Sequence, residues 1–160
     1  MSADKLILLV EDDGNDALLL QRAFEKAGLE KNLRIVQDGE QAIQYLSGRG
    51  SFSDRKKYPL PFLVLLDLKM PGIDGFEVLQ WVRRSPEFQR LLIVVLTSSN
   101  QQSDVDRAYE LGANSYLIKP VGFDEMLNLV RRFEMYWTEI NRTPTTPGPG
   151  SLITSENALP

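Results

Sequence analysis

Apolar residues recur along this chain in two alternating rhythms. Short runs dominated by leucine, isoleucine and valine occupy 6–10, 33–36, 62–66, 92–96 and 115–118, and stretches of helical period separate and follow them. Continuous apolar runs of this length fit strands covered on both faces, and their alternation with helices predicts an α/β domain built on a parallel sheet. All five strands are expected to be buried or nearly so. Ala17, Leu20, Phe24 and Ala27 share one face of a first helix, which Gly28 is placed to close. Asp38 suits the N-cap of a second, with Ala42, Ile43 and Leu46 facing inward. Phe76, Leu79 and Val82 mark a third after Gly75, and Val105, Ala108 and Leu111 a fourth that stops at Gly112. The fifth runs from Phe123 through Met126, Leu127, Val130, Phe133 and Trp137. Between the second helix and third strand, 48–61 carries Arg49, Arg55, Lys56 and Lys57 and is expected to be a solvated loop. One domain is expected over 1–142, followed by a flexible tail at 143–160, dense in proline, glycine, serine and threonine.

Composition narrows the chemistry. With 160 residues there is room for one domain of ordinary size. Acidic residues outnumber basic ones by 22 to 18 and no long basic stripe exists, which argues against a nucleic-acid partner. Neither cysteine nor histidine occurs, so disulfides, thiolate or imidazole metal sites, Ser-His-Asp catalysis and an internal phosphohistidine are excluded. Oxygen ligands and lysine remain. No signal-peptide pattern and no apolar run near the roughly 20 residues that span a bilayer are present, so a cytoplasmic protein without a membrane partner is expected.

In open parallel α/β sheets, ligands bind outside the carboxyl ends of the strands. Here the first strand runs into Glu11, Asp12 and Asp13, the third into Asp67, the fourth into Thr97 and Ser98, and the fifth into Lys119 and Pro120. Carboxylates about 5 Å apart repel by several kcal/mol per pair at an effective dielectric near 20, so a cation is needed among them. Magnesium is the first choice and manganese the second, since both take carboxylates, water and phosphate oxygens. Calcium is less apt, because no EF-hand loop is present. An aspartate beside such an ion can act as a nucleophile toward phosphorus, and Asp67 is the candidate. The ion and Lys119 would offset the transferred charge, and Thr97 would donate its hydroxyl to a phosphoryl oxygen. A lone acid after a strand is more simply a turn or cap residue; agreement among four strand ends is what favours the chemical reading. Asp13 is assigned a structural role in starting the first helix.

The segments LILLVEDD, LVLLDLKMPGIDGFEVL and SYLIKP, with the spacing from Asp67 to Thr97 to Lys119, resemble the response-regulator receiver family over roughly residues 5–136. The resemblance implies a flavodoxin-like doubly wound five-stranded parallel sheet, order 2-1-3-4-5, with five helices. It implies a phosphoacceptor signalling protein that takes a phosphoryl group on Asp67 from a partner sensor histidine kinase in a magnesium-dependent reaction, and promotes its own phosphorylation and dephosphorylation. Glu11 would hold the metal through water, Asp12 and Asp67 directly, and Lys69 through its backbone carbonyl. Thr97 and Tyr116 match the switch pair, Lys69 and Ser99 fall where water access is tuned, and a cis peptide is implied before Pro120. The basic insertion, and the lack of an output domain within these residues, resemble small stand-alone regulators, including those paired with phytochrome kinases. That narrower likeness implies a homodimer through the fourth helix, fifth strand and fifth helix, where Phe133, Tyr136 and Trp137 offer apolar area. It also admits a phosphotransfer protein as a downstream recipient.

Three rivals fit less well. A flavin-binding protein of the same strand order would need backbone amides and hydroxyls in the first loop, where Glu11, Asp12 and Asp13 would repel a phosphate. A magnesium-dependent phosphatase with an aspartate nucleophile would need an acid two residues after it, where Lys69 stands. An adaptor that works without phosphorylation has no use for the intact set of acids, Thr97 and Lys119.

Overall fold

The computed structural model describes Met1 and residues 5–145. Most of the expected tail at 143–160 therefore lies outside the described residues. Five parallel strands, β1 (Ile7–Val10), β2 (Leu33–Val36), β3 (Leu63–Leu66), β4 (Leu92–Thr97) and β5 (Ser115–Ile118), form one sheet in the order β2-β1-β3-β4-β5. Between and after them come α1 (Gly14–Lys26), α2 (Gly39–Ser47), α3 (Gly75–Arg84), α4 (Gln102–Glu110) and α5 (Phe123–Glu134). A π-helical turn, Met135–Ile140, prolongs α5.

Alternation along the strands explains why their sequences read as unbroken apolar runs. Leu8 and Val10 of β1 join Val64, Leu66, Ile93 and Val95 on the face covered by α2, α3 and α4, with Ala42, Leu46, Phe76, Leu79, Val82 and Ala108. Ile7 and Leu9 point the other way, with Leu63, Leu65, Val94 and Leu96, beneath Leu20 and Phe24 of α1 and Met126, Val130 and Phe133 of α5. Trp137, from the π turn, completes that second layer.

The outer strands depart from the expectation that all five would be buried or nearly so. Arg34 of β2 and Ile118 of β5 are exposed, and Ser115, Tyr116 and Leu117 are only half-buried. Both strands lie at sheet edges, where one ladder side has no neighbour and helical cover is incomplete. In α2, Ile43 is half-buried, while Tyr45 is enclosed and donates its hydroxyl to the carbonyl of Pro59 at 2.9 Å.

The stretch 48–61 is not simply a solvated loop. Phe52 and Tyr58 pack with Tyr45 at ring-centroid distances of 5.1–5.9 Å, and all three, with Leu60, join the core layer beneath α2. Gly48 closes α2 in the left-handed region, at φ 66°, which turns the chain back so that Arg55 meets the helix end. Its guanidinium donates to the carbonyls of Tyr45 at 2.7 Å and Leu46 at 2.5 Å, satisfying acceptors that a helix terminus leaves free. A charged donor to a half-buried carbonyl contributes about 1.5–3 kcal/mol. Arg55→Met is therefore expected to lower stability by about 2 kcal/mol in urea denaturation, whereas Lys56→Met, on the exposed side, should change it by less than about 0.5 kcal/mol.

Candidate functional site

Register carries the functional groups to one rim. Val10 pairs with both Val36 and Leu66, Leu66 with Val95, and Thr97 with Ile118, so each strand releases its polar residues at a similar height. The chain order reverses about β1, with β2 on one side and β3 on the other, which opens a crevice above their carboxyl ends. Asp12, Asp13, Asp16, Asp67, Lys69, Thr97, Ser98 and Lys119 line a cleft of about 220 Å³ there.

Local capping fixes the two acidic loops. The Asp13 carboxylate accepts from the amides of Asn15 at 2.8 Å and Asp16 at 3.1 Å, capping α1 as expected of it. After β3, Asp74 and Glu77 form a reciprocal capping box, with side-chain to amide distances of 2.9 and 2.8 Å, that starts α3. Gly75 then lies directly against the end of β3. A Cβ there would collide with the Asp67 carbonyl and stand 2.7 Å from Leu68 Cα, so only glycine allows so close an approach.

Asp67 is buried, and one carboxylate oxygen accepts from the amide of Leu68 at 2.8 Å. Its other oxygen lies 3.3 Å from the Lys119 ammonium. Lys119 also pairs with Glu11 and, at 2.9 Å, with Asp16. Carboxylate oxygens of Glu11, Asp12 and Asp67 all fall within 4.8 Å of one another, with Asp12 open to solvent. Burial, together with the charge of Asp67, pushes the Glu11 carboxyl up to about 7 although Lys119 pulls it down. Burial alone would lower the Lys119 ammonium, but hydrogen bonds to Glu11 and Asp16 and the charge of Asp67 hold it above its usual range. Three clustered carboxylates thus face a single ammonium and still carry excess negative charge. Hard oxygen donors, crowded and under-compensated, fit a divalent cation.

The Thr97 hydroxyl is buried with no hydrogen-bond partner among the described residues, although such groups nearly always have one. An incoming oxygen would satisfy it. Tyr116, half-buried, donates its hydroxyl to the Ser99 carbonyl at 2.8 Å, and burial pushes its phenol up. The Ser99 hydroxyl in turn donates to Asp104 at 2.6 Å, and Asp104 pairs with the Lys69 ammonium at 3.2 Å. That hydrogen bond from Ser99, aided by Lys69, holds the Asp104 carboxyl below its usual range.

Two residues escaped sequence reading. Asp104 pairs across from α4 to the loop after β3, which no local motif announces. Asp16 was within reach: a fourth acid after Glu11, Asp12 and Asp13, three residues beyond the N-cap aspartate, in a first helical turn that opens at the strand ends. One inherited expectation is corrected. Among the described residues no peptide is cis, so the bond before Pro120 is trans, the lower-energy isomer for X-Pro, while Lys119 still reaches the acids.

A doubly wound sheet that gathers an acidic cluster, a lysine and a buried threonine at its strand ends defines a phosphoacceptor module, and the chain belongs to the response regulator receiver domain family, whose model matches residues 7–131. It is 41% identical over 142 residues, 87% of each chain, to FilR2 of Methanothrix harundinacea, a probable methanogenesis regulatory protein. It is 36% identical to response regulator Rcp1 of Synechocystis, covering 88% of this chain and 93% of that one. A Mn(2+)-bound structure of Rcp1 superposes with a TM-score of 0.76 over 88% of this chain and 99% of that one. The response regulator RPA3017, of red light signaling in R. palustris, superposes with a TM-score of 0.83 at 35% identity, covering 89% and 99%. Membership implies a kinase partner and places the chain among phosphorelay signalling proteins. No helix among the described residues is long and apolar enough to cross a membrane.

Because Gly75 abuts the Asp67 backbone, Gly75→Ala is expected to displace the loop that follows β3. Denaturant titration should show a loss of about 2–3 kcal/mol, and calorimetric titration should show weaker divalent-cation binding than in the wild type.

Proposed function

We propose that Asp67 is the phosphoacceptor of a two-component phosphorelay, supplied by a histidine kinase, and that its phosphorylation resets the surface formed by α4 and β5. The observation that carries this is the placement of Asp67, buried at the base of a cleft and in contact with Lys119, beside the unpartnered hydroxyl of Thr97. A carboxylate oxygen of Asp67 bonds to phosphorus as the bond between phosphorus and the kinase imidazole nitrogen breaks, and the electron pair leaves with the imidazole. Glu11, Asp12 and Asp67, with the Lys69 backbone carbonyl, would hold a magnesium ion, which when bound offsets charge on the phosphoryl oxygens. Lys119 supplies a second positive charge that persists at neutral pH. Thr97 donates its hydroxyl to a phosphoryl oxygen. Drawing Thr97 inward frees space beside β5, and Tyr116 must then give up the Ser99 carbonyl to fill it. The same site, through Lys69 and Ser99 at its mouth, controls how readily water removes the phosphoryl group.

The domain extends over 1–142. Its donor is a kinase of the phytochrome type, a reading supported by the likeness to the cyanobacterial phytochrome response regulator RcpA and the bacteriophytochrome response regulator RtBRR, and a phosphotransfer protein is the recipient class downstream. Two copies associate through α4, β5 and α5. In support, Leu117, Leu129, Phe133, Tyr136 and Trp137 line an apolar cleft of about 370 Å³ along β5 and α5, and Ile118, Tyr136 and Ile140 beside it are exposed.

Incubation with acetyl phosphate and magnesium is expected to add one phosphoryl group to the wild type and none to Asp67→Asn, as read by intact-mass spectrometry. Equal labelling of both would remove Asp67 from its role. In sedimentation equilibrium, Tyr136→Asp is expected to shift the wild-type dimer toward monomer by at least about tenfold in Kd, the loss typical of an aromatic interface anchor.

A further inference from the structure

Glu11 and Asp67 each face two claimants. They belong to the oxygen cluster that, with Asp12, fits a divalent cation, and they are also two of the three carboxylates that hold the Lys119 ammonium. A dication and an ammonium sharing the same oxygens repel each other, so occupancy by one weakens the hold of the other. Asp16 is different. Its carboxylate lies 2.9 Å from the Lys119 ammonium but is not a member of the oxygen cluster. It stands on the first turn of α1, fixed there by the Asp13 cap that receives its own amide, and its side chain is partly open where those of Glu11 and Asp67 are enclosed.

We propose that Asp16 is the positioning residue for Lys119: it takes over the ammonium when a divalent cation draws on Glu11 and Asp67, so that both positive charges occupy the cleft together. The inference rests on the reading of the cluster as a divalent-cation site. Without Asp16, Lys119 has only the two shared carboxylates to bind and competes harder for them. Cation affinity then falls through Lys119, not through the mere loss of a nearby negative charge. These two routes make opposite forecasts once the ammonium is gone.

The test is a calorimetric Mg²⁺ titration of four proteins: wild type, Asp16→Asn, Lys119→Met and the double variant, with Lys119→Gln replacing methionine if that variant does not fold. Asp16→Asn is expected to weaken Mg²⁺ about three- to tenfold in the wild-type background, a coupling typical of groups in direct contact, and by less than about twofold where Lys119 is absent. Equal weakening in both backgrounds would assign Asp16 a through-space charge effect alone and overturn the proposal, as would an unchanged affinity in the wild-type background. A wild type that binds no Mg²⁺ would remove the cation site itself and the proposal with it, an outcome distinct from equal weakening.

Discussion

Everything at the sheet's carboxyl rim turns on how one ammonium is shared among three carboxylates, of which only Asp16 keeps partial contact with solvent. Lys119 is nearly enclosed, as are Glu11 and Asp67. Ions taken from water lose several kcal/mol of hydration each, and their attraction offsets this only if the geometry is good and the remaining donors and acceptors are satisfied. Here the offset is incomplete on the negative side: burial, with the charge of Asp67 beside it, raises the Glu11 carboxyl in spite of Lys119. A core assembled for stability alone would have filled these positions with leucine. The strain in charge is confined to the place where a ligand of opposite sign is to be received.

The fold makes that concentration of charge possible without local unfolding. Parallel strands covered on both faces give a rigid floor, and the two caps, Asp13 on α1 and the Asp74–Glu77 box on α3, hold the loops that leave it. Gly75 lets α3 start against the backbone of Asp67 itself. Asp67 therefore sits on a support with little freedom to relax away from its neighbours. Such rigidity keeps like charges together that would otherwise drift apart.

Much of this was legible from the order of residues. Apolar runs gave the five strands to within a residue or two, Gly28 ended α1 at φ 77°, and reading past each strand named Glu11, Asp12, Asp67, Thr97 and Lys119 as neighbours. What stayed hidden has a common cause. Arg55 acts on backbone carbonyls, which carry no side-chain signature, so 48–61 looked like solvent-facing chain while it sealed the end of α2. The partial exposure of β2 and β5 depends on sheet position, which an apolar run does not encode. Asp16 was not singled out, because its partner lies 103 residues away. The isomer before Pro120 was inherited by resemblance, and no local residue pattern decides it.

The chain of contacts from Lys69 through Asp104 and Ser99 to Tyr116 ties the loop after β3 to the edge strand. Ser99 takes part twice, accepting from Tyr116 through its carbonyl and donating to Asp104 through its hydroxyl. Moving the tyrosine alone would strand a carbonyl, and moving the start of α4 alone would strand a half-buried hydroxyl. The two links meet at one residue, so a displacement of Tyr116 or of the start of α4 is passed through Ser99 to the other. The loop after β3, the start of α4 and the edge strand β5 are thereby bound into one mechanical unit, anchored at one end by an ammonium beside the acidic cleft and at the other by an aromatic ring.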